Sequence, residues 1–323
     1  MDRRYSVLII GAGKIGACYD SLDSPDILTH AHAFCAHKAF RLAGFVDTDP
    51  AALKKAVSHW GGSGFTSLKE AFNREGRIDV ACVATPDETH YEMLSKLCNF
   101  PVKLIFVEKP PVETLAQADD IMRKAKKKKI SIAVNYSRRF AQEYEDIRKN
   151  IKSNKYGRFL TGNGFYGKGL VHNGSHMVDL LRYFLGEIKA VDKRSRVNDF
   201  KNSDPTISAV LSFGGKRDFF LQGVDCRSYT IFELDLLFEK TRLRFVDSGS
   251  ALEEYSINNV AADCGIRNLG RPRVTATSAR KALYFAAENM YRHLSRGEAL
   301  KCSFSEGVKT LAACKVIQNA GKG

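Results

Sequence analysis

Apolar, β-branched runs recur through the first 134 residues, at Tyr5–Ile10, Leu42–Val46, Ile78–Ala84, Val102–Val107 and Ile130–Val134. Between them the apolar positions take helical spacing, over Ala51–His59, Leu68–Phe72, Glu88–Leu97 and Leu115–Lys127. Strands alternating with helices predict parallel β-α-β units and a doubly wound sheet. Right-handed crossovers then set the C-terminal ends of the strands along one edge, where ligands bind. After Asn135 the pattern changes. A helix is predicted at about Gln142–Ile151, then a segment at Arg158–Tyr166 and a short helix at about Ser175–Leu185. Strand-like runs follow at Ala190–Val197, Ile207–Phe213, Asp218–Val224, Ile231–Phe238 and Arg242–Val246. Turns at Gly214-Gly215 and Glu239–Thr241 read as hairpins of an antiparallel sheet, and helices at about Ala279–Arg296 and Ser305–Asn319 close the chain. The fold class is α/β, with two domains, 1–134 and 135–323, and no flexible linker between them.

The first strand runs directly into Gly11-Ala12-Gly13-Lys14-Ile15-Gly16. Here Gly11 permits a tight turn, Gly13 lets a pyrophosphate reach the backbone, and Gly16 allows close helix–strand packing. Asp47 ends the second strand, where a carboxylate binds adenosine ribose hydroxyls and repels a 2′-phosphate, which favours NAD over NADP. It stands 31 residues beyond Gly16, against about 20 in the usual pattern. The surplus is expected to loop out around Ser21–Thr29. Three further groups follow later strands and fall on the same edge: Thr85-Pro86 with His90, Glu108-Lys109-Pro110, and Asn135 to Phe140. A lysine beside a proline at a strand end is well placed to hold a substrate oxygen, though many such lysines are surface residues.

In the second domain His172-Asn173-Gly174-Ser175-His176-Met177-Val178-Asp179 begins a helix. His172, His176 and Asp179 share a face if the first turn is helical. Three readings stand: a metal pair without a third strong ligand, a cap with Asn173 or Ser175 at its start, and an acid/base pair facing the first domain. The third is preferred, because imidazole titrates near neutral pH. No metal site is expected.

Composition changes this picture little. With 44% hydrophobic and 27% charged residues the chain is globular in character, and no apolar run approaches the ~18 residues of a membrane span. Lysines and arginines number 50 against 36 acids, a net charge of +14, which favours anionic partners. The charge is spread out, however, and its densest block, Lys126–Lys129, reads as a solvated helix end. No aromatic-interleaved basic stripe marks a nucleic-acid module, so neither nucleic acid nor membrane is an expected partner. The eight cysteines are scattered, without a C-x-x-C pair, as in a reducing cytoplasm. Arg3-Arg4 before Tyr5–Ile10 mimics an export signal, but the apolar stretch is shorter than the ~7–15 residues of a signal core. A cytoplasmic protein is expected.

Taken in order, Gly11–Gly16, Asp47, Ala84-Thr85-Pro86 with His90, Glu108-Lys109-Pro110, Arg139-Phe140, Gly157 and Gly174-Ser175-His176 with Asp179 resemble the glucose–fructose oxidoreductase/inositol dehydrogenase/rhizopine-catabolism family. The resemblance implies an N-terminal Rossmann domain and a C-terminal α/β domain with a large, mostly antiparallel open sheet. That sheet would join copies into a homodimer or homotetramer. It implies Lys109 as the catalytic lysine and His176 as acid/base. Gly11, Gly13, Lys14, Ile15, Gly16, Asp47, Thr85, Pro86, His90, Glu108 and Lys109 would hold the cofactor, NAD rather than NADP. Sugars, polyols and sugar nucleotides are the implied substrates, and the positive charge would gather an anionic one. Arg139, Tyr166, Lys168 and Asn173 are expected to touch the substrate. The family pattern commonly has Asp where this chain has His172. His172 is therefore either a second acid/base candidate, a substrate contact, or the mark of altered chemistry. Two other readings stay open: NAD held tightly and recycled within one turnover, as in epimerisation or glycoside cleavage, and a cofactor-binding sensor or partner protein without turnover.

Overall fold

The computed structural model describes residues 4–214, 217–258 and 267–321; Gly215 of the expected turn and Cys264 lie outside them. The chain divides into two compact units. One comprises Met1–Phe140 with Arg280–Lys309, the other Ala141–Ala279 with Thr310–Gly323. The first unit thus runs six residues past Val134, and a segment assigned to the second domain on sequence alone returns to it.

In the first unit, strands β1 (Tyr5–Ile10), β2 (Phe40–Val46), β3 (Ser63–Phe65), β4 (Val80–Val83), β5 (Leu104–Val107) and β6 (Ser131–Val134) form a sheet in the order β3-β2-β1-β4-β5-β6. All its pairings are parallel. Helices α1 (His30–Ala36), α2 (Pro50–Trp60), α3 (Leu68–Glu75), α4 (His90–Leu97) and α5 (Leu115–Lys128) connect the strands. Every residue of β4 and β5 is buried, as expected of strands covered on both faces. The glycine-rich turn opens only a five-residue π-type turn, Lys14–Cys18, and α1 begins after Thr29 caps the His32 N–H. The surplus residues therefore interrupt the first helix. The Asp20 carboxylate ties the interruption down, accepting from Leu28 N, Thr29 N and Thr29 Oγ1. At the end of α5, Lys126–Lys129 are exposed, where cations also suit the helix dipole.

In the second unit α6 (Gln142–Lys152), β7 (Phe159–Tyr166), α7 (Ser175–Leu185), β8 (Ala190–Lys201), β9 (Asp204–Ser212), β10 (Asp218–Gly223), β11 (Phe232–Phe238), β12 (Thr241–Val246), β13 (Ala251–Asn258), β14 (Asn268–Leu269) and β15 (Arg273–Ala276) follow in turn. Among the described residues they form a nine-stranded sheet, ordered β14-β13-β12-β11-β7-β10-β9-β8 with β15 on β13. It is antiparallel except where β7 lies parallel to β10. Burial alternates along β7, β11 and β12, so one face builds the core with α6 and α7. The other face carries polar pairs such as Arg242–Asp235 and Arg244–Glu253. Two helices complete the chain, α8 (Ala282–Arg296) and α9 (Phe304–Asn319).

Tyr166, expected as a substrate contact, belongs to this core. It is fully buried, and its hydroxyl donates to Ile207 O (2.8 Å) and accepts from Ile207 N (2.9 Å). Tyr166→Phe leaves that backbone pair unanswered and should lower unfolding stability by about 1–3 kcal/mol. Urea denaturation measures the loss, and ligand affinity should stay at the wild-type value.

Candidate functional site

The strand ends of the first unit are laced into one edge. Gly11 N donates to Val46 O, Ala84 N to Ile10 O, Glu108 N to Val83 O and Asn135 N to Val107 O, each within 3.0 Å. The loops that leave β1, β4, β5 and β6 thus start side by side, at the point where the strand order reverses. Gly11 has φ +99, and a Cβ there would fall 2.6 Å from Ala84 O; one on Gly16 would fall 2.0 Å from Gly11 O. Only glycine allows this turn to close so tightly. Nothing lies within 4 Å of a Cβ position on Gly13, which leaves its backbone open to a ligand.

A cavity of about 940 Å³ lies along this edge, lined by Gly11, Gly13, Asp47, Thr85 and Pro86 among others. Asp47 is fixed in it: Oδ2 accepts from Ala12 N at 2.7 Å and Oδ1 from Asp49 N at 3.0 Å. The glycine turn, the open backbone at Gly13 and this carboxylate suit a dinucleotide. Lys14 is exposed, Ile15 half-buried and Gly16 buried beneath the turn. Thr66, Ser67 and Lys69 also line the cavity and were missed, because β3 is only three residues long. Ser67 caps the Glu70 N–H, and the Glu70 side chain answers Thr66 N. That S-x-x-E pattern was the available signal.

His90 and Glu108 are not in the lining. His90 is buried, with Nδ1 2.7 Å from Pro110 O and Nε2 2.8 Å from Thr85 O, so it ties two strand-end loops together. Glu108 points inward. Its Oε1 is 2.8 Å from His30 Nε2 and accepts from Asn135 Nδ2 at 2.6 Å. Burial disfavours its charge, but the bonds from His30 and Asn135 and the charges of His30 and Lys109 hold the carboxyl below the usual range. Burial likewise opposes imidazolium at His30, and the neighbouring Cys82 sulfur and Glu108 outweigh it, pushing the group up to about 10. Lys109 therefore follows a buried ion pair directly in the chain; its peptide bond to Pro110 is cis. Arg139, expected at the substrate, is buried with Nη1 3.3 Å from Glu306. The reason is its place in the short 3-10 turn Ser137–Phe140, which packs inside the first unit.

In the second unit Gly169–Gly174 forms a π-type turn that runs straight into α7. This departs from the reading in which Asn173 or Ser175 caps α7, since Gly174 at the cap position is already helical and makes no side-chain cap. Asn173 donates instead to Gly167 O (2.9 Å), and Ser175 Oγ is buried without a hydrogen-bond partner among the described residues. His172 stacks on Phe200, and His176 meets Phe232 edge-on. Asp179 is buried and accepts from Thr310 Oγ1 at 2.9 Å. Lys168 is exposed with φ 68. Among the described residues no group of three His, Cys, Asp or Glu side chains is placed to hold a metal ion, and no helix is long and apolar enough to cross a membrane.

The His30–Glu108 pair predicts a pH signature. A histidine with a raised folded pKa contributes stability that is complete below about 6.5, its unfolded value, and is lost as pH climbs towards about 10. The depressed Glu108 contributes above its unfolded value near 4.5 and is lost in acid. His30→Gln breaks a buried pair and should cost about 3–5 kcal/mol at pH 5–6.5. Chemical denaturation across pH should show that gap shrinking towards pH 10; a gap independent of pH would exclude the charged pair.

Residues 5–136 match the sequence model of an oxidoreductase family with an NAD-binding Rossmann fold. The scyllo-inositol 2-dehydrogenase (NAD(+)) of Bacillus subtilis is 28% identical over 153 residues, 42% of this chain and 44% of that protein. The D-glucoside 3-dehydrogenase of Escherichia coli is 25% identical over 214 residues, 58% of this chain and 57% of that one. The chain thus spans about half the length of the curated relatives it matches. Among solved structures, the WlbA dehydrogenase from Bordetella pertussis in complex with NADH and UDP-GlcNAcA superimposes with a TM-score of 0.79 at 18% identity, over 98% of this chain and 95% of that one. Over residues 5–136 the chain is thus similar to the glucose–fructose oxidoreductase/inositol dehydrogenase/rhizopine-catabolism (Gfo/Idh/MocA) family of oxidoreductases.

Proposed function

We propose that the protein is a dehydrogenase or reductase of sugar-like substrates, working on the hydroxyl or carbonyl carbon of a sugar, polyol or sugar nucleotide. The observation that carries this reading is Lys109, set beside the buried Glu108 on the strand-end edge that also holds the cavity lined by Gly11, Gly13 and Asp47. The family match supports the cofactor class, and the inositol and glucoside dehydrogenases support the substrate class.

A bound nicotinamide supplies the hydride acceptor for oxidation, or the donor for reduction. Lys109, as an ammonium, donates a hydrogen bond to the reacting oxygen and stabilises the negative charge that gathers there as the C–H bond breaks. His176 accepts the hydroxyl proton at an imidazole nitrogen, so the alcohol leaves as a carbonyl and the proton is accounted for. In reduction the same nitrogen returns it. Gly11 and Gly13 would receive the pyrophosphate and Asp47 the ribose hydroxyls.

Absorbance at 340 nm with NAD and a panel of polyols, sugars, sugar phosphates and sugar nucleotides tests this reading. One or more should be oxidised, and Lys109→Ala should lower kcat/KM by about 10²–10³-fold while NADH still binds. Turnover indifferent to that substitution would sink the assignment. NAD is the preferred form, because Asp47 opposes a 2′-phosphate. Asp47→Ala should shift the NAD/NADP preference by about tenfold or more towards NADP, read from the two dissociation constants.

A further inference from the structure

The turn Gly167–Gly174 of the second unit hangs from buried acceptors on the strands beside it. Asp199 accepts from Lys168 N (2.8 Å) and Cys226 N (3.0 Å). Thr206 Oγ1 accepts from Gly169 N (2.8 Å) and donates to Asp199 (2.7 Å). Asp204 answers Val171 N and His172 N, both at 2.8 Å. Each of the two carboxylate residues is only 8% exposed. The clamp holds two consecutive left-handed residues, Lys168 at φ 68 and Gly169 at φ 78. A Cβ on Gly169 would fall 2.4 Å from Asp204 Oδ2. Backbone of this kind persists only where its surroundings over-determine it, and it gathers at ligand sites.

What the clamp presents is a basic platform. The His172 ring stacks on Phe200 at 4.6 Å and 26°. The ammonium nitrogens of Lys168 and Lys201 stand 5.7 and 5.5 Å from the same ring centre. An imidazole and two ammonium groups thus converge on one aromatic that is 36% exposed, while the oxygens of Asp199 and Asp204 accept from backbone N–H groups and from Thr206 and Gln318, with Asp204 also interacting with His172 by charge. We propose that Lys168, His172, Phe200 and Lys201 form a subsite for the phosphate or carboxylate group of a sugar-type ligand. The cations neutralise its charge, and the edge of Phe200 covers the apolar side of the sugar ring. This deepens the function proposed above and rests on it for one point, that the ligand is the substrate.

The test uses the full ¹⁵N-labelled chain saturated with NADH, so that the glycine-rich turn is filled. Inorganic pyrophosphate is titrated in one arm and D-glucuronate in another, with D-glucose as the uncharged control. At least one anion should shift the amide signals of Lys168, His172, Phe200 and Lys201 in a saturable manner. A Lys168→Ala/Lys201→Ala double variant should bind about tenfold more weakly or worse, and a Lys126→Ala/Lys127→Ala control, which removes the same charge from an exposed helix end, should bind as wild type. Response to pyrophosphate alone assigns the subsite to phosphate, and response to glucuronate alone assigns it to carboxylate. Shifts confined to other residues, a double variant that titrates like wild type, or anions no better than glucose would overturn the proposal. The titration requires no turnover, so silence at 340 nm would count against hydride transfer and leave the subsite standing.

Discussion

A carboxylate taken out of water must be answered before a functional loop can be hung beside it. Glu108 is such a group. Its partners come from distant parts of the chain, His30 on α1 and Asn135 just after β6. The pair lies under the loop that carries Lys109, so the placement of that lysine depends on where α1 begins. That point is set in turn by Thr29 capping α1 and by Asp20, which gathers the Leu28 and Thr29 amides and sits 2.9 Å from His32 Nδ1. The inserted segment that breaks the first helix and the geometry at the end of β5 are therefore one structural problem, solved by two buried acids.

The second unit uses buried acids differently. Asp199 and Asp204 meet mainly backbone N–H groups, so what they specify is the path of the main chain. That path includes a left-handed lysine, a conformation its own side chain disfavours. The strain is tolerable because four amides in one turn are satisfied at once, two by Asp204, one by Asp199 and one by Thr206. A segment held this way is rigid where it presents side chains, which keeps the ordering cost of recognition low.

How much of this was legible in the sequence follows from the range of each interaction. The five longer strands of the parallel sheet stand out because burial on both faces makes each a continuous apolar run. The glycine turn and Asp47 stand out because their chemistry is local. By contrast, β3 is too short to show a period, β13 alternates only weakly, and β14 and β15 are short, exposed edge strands. The insertion of β7 between β10 and β11 joins segments more than fifty residues apart, which no local pattern announces. Tyr166 and Arg139 were misplaced for a related reason. Both are polar-tipped residues beside a motif, and only the fold shows that their partners are the buried Ile207 and the half-buried Glu306, each within the same unit as the residue it meets. His30, Asp199, Asp204 and Phe200 carried no motif at all.

The positive charge shows the same limit from another side. A net +14 is a property of the whole chain, and much of it has no bearing on recognition. Lys126–Lys129 lie exposed at a helix end, and Arg242 and Arg244 are spent on acids of neighbouring strands. Charges in water are screened within about 8–10 Å, so a distant lysine adds little to the field at a binding turn. Convergence matters more than number. At Phe200, two ammonium groups brought within 6 Å of one ring centre are carried by a backbone that Asp199 and Asp204 hold through its N–H groups. A local field of that kind depends on the clamp beneath it, and moving the turn would disperse it without changing the composition at all.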